Sequence, residues 1–268
     1  MKTDLSAGAG GEGGYDRHSM RLFARAFVAA TLACALAGCT TMFGREYEYE
    51  EQWTLSTDGS AVVVLDASVP ALVALRGLSL NPSPTARIEA ADVRRVFEAA
   101  GCDVQHVSQP WIHRARRFVQ VRLIVPDVRR AGTCGVLAWS SYAFDREGSV
   151  LHYHQVVGAP AGGNPGAPKW DGRELVAIKL HVPSRVRYHN VRRLEDGVVG
   201  DIERGNILTW ESRLSDRLAG TPIDVDVKMD PQSILNQTLW LFGGAFLAAA
   251  IVMSGLIWWT VRRGRPAR

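Results

Sequence analysis

The chain has 268 residues, 47% apolar and 22% charged. That balance suits one or two globular domains and excludes disorder, collagen and a disulfide-dense miniprotein. Lys and Arg number 31 against 27 Asp and Glu, a formal charge of +4. The surplus sits at the ends, with Lys2, Arg17, Arg21 and Arg25 at one and Arg262, Arg263, Arg265 and Arg268 at the other. Both basic clusters lie beside apolar runs, a pattern of membrane orientation and not of nucleic-acid binding.

Residues 1–19 are Gly-rich, and their GAGGEGG stretch has no strand before it or helix after it, so it carries no phosphate-binding meaning. Met20–Cys39 reads MRLFARAFVAATLACALAGC, with a basic start, an apolar centre and small residues at its end. That is the order of a secretory signal, and Met20 would give it a normal length. Its end, Leu36-Ala37-Gly38-Cys39, resembles the bacterial lipobox, whose Cys receives a diacylglyceryl group and becomes the first mature residue. Residues 1–38 are therefore expected to be dispensable and Cys39 to be lipidated; an uncleaved N-terminal anchor is the alternative. Cys34 lies inside the apolar centre and reads as filler.

Residues 39–232 are expected to form one extracytoplasmic domain. Tyr47, Tyr49, Trp53 and Leu55 alternate with Glu46, Glu48, Glu50 and Gln52, and Thr57–Ser60 is a turn signal leading into Ala61–Ala67. A hairpin is expected there, followed by a short apolar helix over Val69–Leu75. Helical spacing returns over 86–100, with Thr85 as its cap and Gly101 as its stop. Alternation then marks strands at Val119–Val125, Val176–Val182, Leu208–Leu214 and Ile223–Met229, with a Gly/Pro loop at 158–168. One polar face per strand points to an α+β fold, mainly an antiparallel sheet with one side in water and one or two helices.

The C-terminal signal is the strongest. Residues 238–261 carry no charge, Trp240 stands at one edge and Trp258 and Trp259 at the other, and arginines follow directly. About 20 apolar residues suffice to cross a bilayer as a helix. The positive flank places 262–268 in the cytoplasm and the main domain outside it.

The order of lipobox Cys, acidic-aromatic strand, Asp-Gly turn, apolar strand, helix, further strands, membrane helix and arginines resembles the LppM-like family of bacterial membrane-anchored lipoproteins. The stretch His189–Leu218 adds to this, most sharply in Gly205–Trp210. The resemblance covers roughly residues 36–265. It implies an α+β exported domain, binding of lipid or apolar ligands, and no defined catalytic residues.

Read from the residues themselves, the site candidates are few. Cys102 and Cys134 are an even pair in an oxidising place, either bridged or unpaired. His152 and His154 share one strand face and are the weak metal candidates; no acid or Cys completes a set at a known spacing. Ser140 and Ser141 lack a nucleophile-elbow motif. Asp224 and Asp226 fit strand patterning. Arg114, Arg116 and Arg117, and Arg185, Arg187, Arg192 and Arg193, read as a solvated face or as contacts to anionic headgroups. The surplus of apolar residues in Val69–Leu80 makes Leu72, Leu75 and Leu78 the apolar-ligand candidates. The expectation is a non-enzymatic envelope lipoprotein of the bacterial cytoplasmic membrane, without cofactor, with membrane lipids and an envelope protein as its partners and no nucleic acid. The alternatives are an interaction module of a larger membrane complex and, behind it, an extracytoplasmic hydrolase.

Overall fold

The structure is a computed structural model that describes Arg45 and residues 47–263. The signal, the lipobox and Cys39 lie outside the described residues, as do Arg265 and Arg268.

The described chain forms two β-sheets around one core, with few helices. Strands β1 (Tyr47–Leu55) and β2 (Ala61–Ser68) are the expected hairpin. Helix α1 (Val69–Arg76) and helix α2 (Ala90–Ala99) follow, then β3 (Asp103–Val107), β4 (Trp111–His113) and β5 (Arg116–Val125). Strand β6 (Ser140–Glu147) and β7 (Val150–Val157) form a second hairpin. After β8 (Leu175–His181) come β9 (Ser184–His189), β10 (Ile207–Arg213), the short helix α3 (Leu214–Leu218) and β11 (Ile223–Ser233). Helix α4 (Ile234–Arg263) continues directly from β11.

The larger sheet has the order β10-β8-β1-β2-β5-β3, with β4 also on the outer edge of β5; the smaller is β6-β7-β11-β9. Every pairing is antiparallel except β1 with β8. The expected single sheet with one wet side is thus two sheets packed together. Trp53 of β1 meets Tyr142 of β6 at 5.2 Å between ring centroids, and Tyr49 meets Trp139 edge-on at 5.4 Å.

Two local expectations are corrected. Tyr47 pairs with Leu175 and Tyr49 with Val176, so a bulge at Glu48 turns Tyr47 away from Tyr49, Trp53 and Leu55. Its ring instead lies beside Lys179 and its hydroxyl donates to Glu211 on the outer face. Helix α2 is capped not at Thr85 but at Glu89, whose N–H donates to Asp92 at 3.2 Å.

Helix α1 is buried along its whole length. Ser68 accepts from the N–H of Ala71 at its start, and Gly77, left-handed at φ 63°, ends it with an N–H to Val73. The 158–163 loop satisfies two further helix carbonyls, through Ala161 to Leu75 and Gly162 to Ala74. Gly163 lies so close that a Cβ would stand 2.1 Å from the Val73 carbonyl oxygen, so only glycine fits there.

The last residue of α1, Arg76, reaches a carboxylate that strand alternation places on the core face of β1. Glu51 is fully buried. It accepts from Arg76 at 2.9 Å, Tyr49 at 2.5 Å, Trp139 at 3.1 Å and Trp53 at 3.2 Å. Arg76 also donates to the Tyr49 hydroxyl and lies over the Trp139 ring. The Arg217 guanidinium of α3 sits 5.0 Å from the same ring and donates to the carbonyls of Gly158 and Thr221.

Removing one partner of a buried ion pair typically costs about 3–5 kcal/mol. Arg76→Met is expected to destabilise the domain by that order, measured by denaturant unfolding of the full chain in detergent. Adding Glu51→Gln should recover much of the loss, because the amide keeps an acceptor and sheds the unpaired charge.

Candidate functional site

The chain enters the sheets at one end and leaves them at the other. Tyr47 pairs with Leu175, whereas Ser233 pairs with Ser184, just beyond the His181 end of β8. At the Tyr47 end, the β4–β5 hairpin turns on two left-handed residues, Arg114 (φ 47°) and Ala115 (φ 57°), and delivers Arg116 to the start of β5.

Arg116 is buried. It pairs with Glu48 at 2.7 Å, donates to the Lys169 carbonyl at 2.9 Å and lies 3.9 Å from Glu174. Glu48 also accepts from the Trp170 indole at 3.2 Å, and Glu174 accepts from the N–H groups of Asp171 and Gly172. These bonds clamp the 169–174 loop onto the end of the sheet. Beside them opens a cavity of about 470 Å³, walled by Pro70, Pro82, Pro84 and Pro168 with Ala115 and Arg116. It falls within the size range of small-molecule sites and, like them, is apolar with few polar groups. Two other cavities lie elsewhere on the described residues. One of about 240 Å³ lies beside Asp127, Arg130 and Cys134, and one of about 430 Å³ lies along the surface of α2.

The residues singled out from the sequence are scattered. Leu72 and Leu75 are fully buried in the core, and Leu78 is half-buried against it; none of them lines these three cavities. The space between α1 and the sheet, where these leucines are the candidates to meet an apolar ligand, is filled by core side chains. Cys102 and Cys134 are joined as a disulfide, which ties the start of β3 to the end of the 3-10 helix Val128–Thr133.

His152 and His154 do share the outer face of β7, with ring centroids 6.2 Å apart. Three of their four ring nitrogens lie against carboxylates: His152 is 2.7 Å from both Glu147 and Asp226, and His154 Nε2 is 2.7 Å from Asp224. Among the described residues, no group of three or more His, Cys, Asp or Glu is arranged to hold a metal ion. The Ser140 hydroxyl accepts from Gln155 at 3.2 Å. Nothing in the sequence marks Arg116, Glu48 and Glu174 as partners, since 68 residues separate the first two and no local motif links them.

On the outer face of β2, burial pushes the Asp66 carboxyl up to about 6. A bond from Gln120 opposes this, the Glu50 charge adds to it, and Lys179 opposes it again.

Helix α4 contains the apolar run Thr238–Thr260, long enough to cross a bilayer, and none of that window is buried against the domain. Trp240, Trp258 and Trp259 are exposed, and Arg262 lies over the Trp258 ring at 4.1 Å. Fold and helix together define an α+β protein of two sheets with an apolar C-terminal helix. No protein-family model matches the chain, and no curated protein matches it. Among solved structures it is similar to the folded domain of the LppM protein of Mycobacterium tuberculosis, determined by NMR. The two share 11% identity over 71% of this chain and 94% of that one, with a TM-score of 0.36, a likeness too low to carry an argument.

Two stability measurements follow. Closing the 32-residue separation between the cysteines stabilises by about 3–4 kcal/mol in the chain-entropy view, so reductant should lower the Tm by several degrees and expose two alkylatable thiols. For Asp66, both folded and unfolded forms hold the proton below pH about 4. Between about 4 and 6 the unfolded chain ionises first, so stability falls as pH rises and the penalty is complete above 6. Asp66→Asn should therefore raise the Tm by a few degrees at pH 7.5 and leave it unchanged at pH 4.

Proposed function

We propose that the chain is a non-enzymatic lipoprotein of a bacterial cell envelope. In this reading Cys39 carries lipid, α4 spans the cytoplasmic membrane with its arginines inside, and the two-sheet domain stands outside and binds lipid or apolar ligands. The observation that carries the anchoring is the Thr238–Thr260 run, free of charge, exposed along its length and bounded by interfacial indoles and Arg262. Support for the ligand role comes from the proline-walled cavity. An interaction module is the second reading. The exposed Val198, Val199 and Ile202 in the loop before β10 favour it, as does the exposed Ile112 on an edge strand.

Fractionation of cells expressing the full chain tests the anchoring. The wild type should stay with membranes after alkaline carbonate washing, and Cys39→Ala should lose acyl labelling yet remain there, since one acyl chain is a marginal anchor beside a spanning helix. A chain from Thr40 to Gln237, made without the signal, should be soluble. Protease added to spheroplasts should remove the domain and spare an epitope placed after Arg268. Release of the Cys39→Ala chain into the soluble fraction, or protection of the domain from protease, would sink the reading.

A further inference from the structure

Strand β4 is exposed at all three of its residues. Ile112, at 60%, is the most exposed large apolar side chain among the described residues outside α4. Ser68, the last residue of β2, pairs with Phe118, and β4 pairs with Phe118, Arg117 and Arg116. The β4–β5 hairpin therefore projects past the end of β2, with no further strand beside its tip. Trp111 stacks on Phe118 on one of its faces, with ring centroids 5.8 Å apart, and Ile112 stands opposite Arg117 on the other. Arg114 is exposed at the turn. The 169–174 loop beside the hairpin adds the exposed Lys169 and Arg173, and its exposed acid, Asp171, is paired with Arg173. Indole, aliphatic and basic side chains on one projecting element suit the headgroup layer of a bilayer. A partner strand is the poorer fit, because three edge residues running into an arginine offer a short, charged ladder.

The length of chain before the domain brings this end to the bilayer. Tyr47 is eight residues after Cys39, a reach of about 28 Å at full extension. Strand β5 runs between the two ends of the domain over ten residues, about 33 Å at the usual rise. Four residues of α4 precede Thr238 and add about 6 Å. With its strands upright over α4, the domain would hold Tyr47 about 39 Å from the apolar run, beyond that reach. A lipid on Cys39 and a spanning α4 are both seated only when the Tyr47 end leans to the bilayer, and the hairpin projects from that end.

We infer that the β4–β5 hairpin is a third contact with the bilayer, made in the headgroup layer of anionic lipid. Trp111 and Ile112 enter that layer, and Arg114 and Lys169 meet lipid phosphates. The inference rests on the anchoring at Cys39 and α4 proposed above and names the surface that this anchoring presses down.

The test places a nitrobenzoxadiazole label on Ala115→Cys, at the hairpin turn, in the full chain held in nanodiscs. Cys102 and Cys134 are bridged, and the acyl group occupies Cys39 in this reading, so the label goes to the new thiol. The discs carry nitroxide on lipid headgroups and contain either about a third phosphatidylglycerol or phosphatidylcholine alone. The ratio of quenched to unquenched label should be about tenfold higher in the anionic discs. In those discs Arg114→Glu with Lys169→Glu should lower the ratio about tenfold, and Trp111→Gln with Ile112→Asp should do the same. An unquenched label, equal quenching in the two kinds of disc, or no loss in the charge pair overturns the contact. If the Trp111 and Ile112 pair fails to fold, the disc comparison and the charge pair decide. Acyl labelling and membrane retention are measured on the same chains. An acylated, retained chain with an unquenched hairpin refutes the contact alone, whereas a chain without acyl label refutes the anchoring and the contact with it.

Discussion

A carboxylate with no solvent exposure governs this fold. Taking Glu51 out of water costs several kcal/mol unless donors replace the lost hydration. The donors come from β1, from the end of α1 and from the segment before β6. Meeting that requirement explains why positions 49, 53 and 139 are Tyr and Trp, whose polar tips can reach a partner, and not Phe. It also explains how α1 can be buried to its last residue although that residue is arginine, whose charge further suits a helix C-terminus. Trp139 then stands between two guanidiniums, Arg76 and Arg217. Burial lowers the pKa of both arginines and raises that of Tyr49, which describes an interior that must hold its hydrogen bonds to remain closed.

Strand β1 is the other organising element because it is paired on both sides, antiparallel to β2 and parallel to β8. The first pairing needs only a turn. The second needs the chain to run through α1, α2 and the second hairpin before it returns. Every intervening element is thereby placed around β1, and the 169–174 loop is brought to Glu48 and Arg116. Just beyond β8, two residues, Val182 and Pro183, carry the chain from the larger sheet to the smaller.

Alternation in the sequence locates β2, β5, β8, β10 and β11, because each buries one face and wets or half-wets the other. It cannot say that the strands belong to two sheets, since the same period serves both. The bulge at Glu48 is invisible for the same reason: one extra residue reverses the face of Tyr47 without changing the residue types on either side. Glu51 lies in phase with Tyr49 and Trp53, so its burial is legible from period, yet an acid on an apolar face reads as an exception until Arg76 is beside it. The disulfide is legible only as an even number of exported cysteines. The cavity is not legible at all. Arg116 looks like one of three arginines on a solvated face, and only the pairing of β4 with β5 separates it from Arg114 and Arg117.

The apolar surplus of Val69–Leu80 shows how a sound physical premise can have two solutions. Such a segment must leave water, and either a ligand or the protein can cover it. Here the 158–163 loop covers it, with glycine where the helix backbone comes closest and with loop N–H groups on the helix carbonyls. The same Gly/Pro loop continues into Gly166–Lys169, where its prolines and those of 81–84 cannot pack as closely as leucine. The closed core and the open cavity are therefore two ends of one connection. Its first half seals α1 by hydrogen bonds, and its second half, held off by rigid rings and clamped at Glu174, leaves space beside the Arg116 guanidinium.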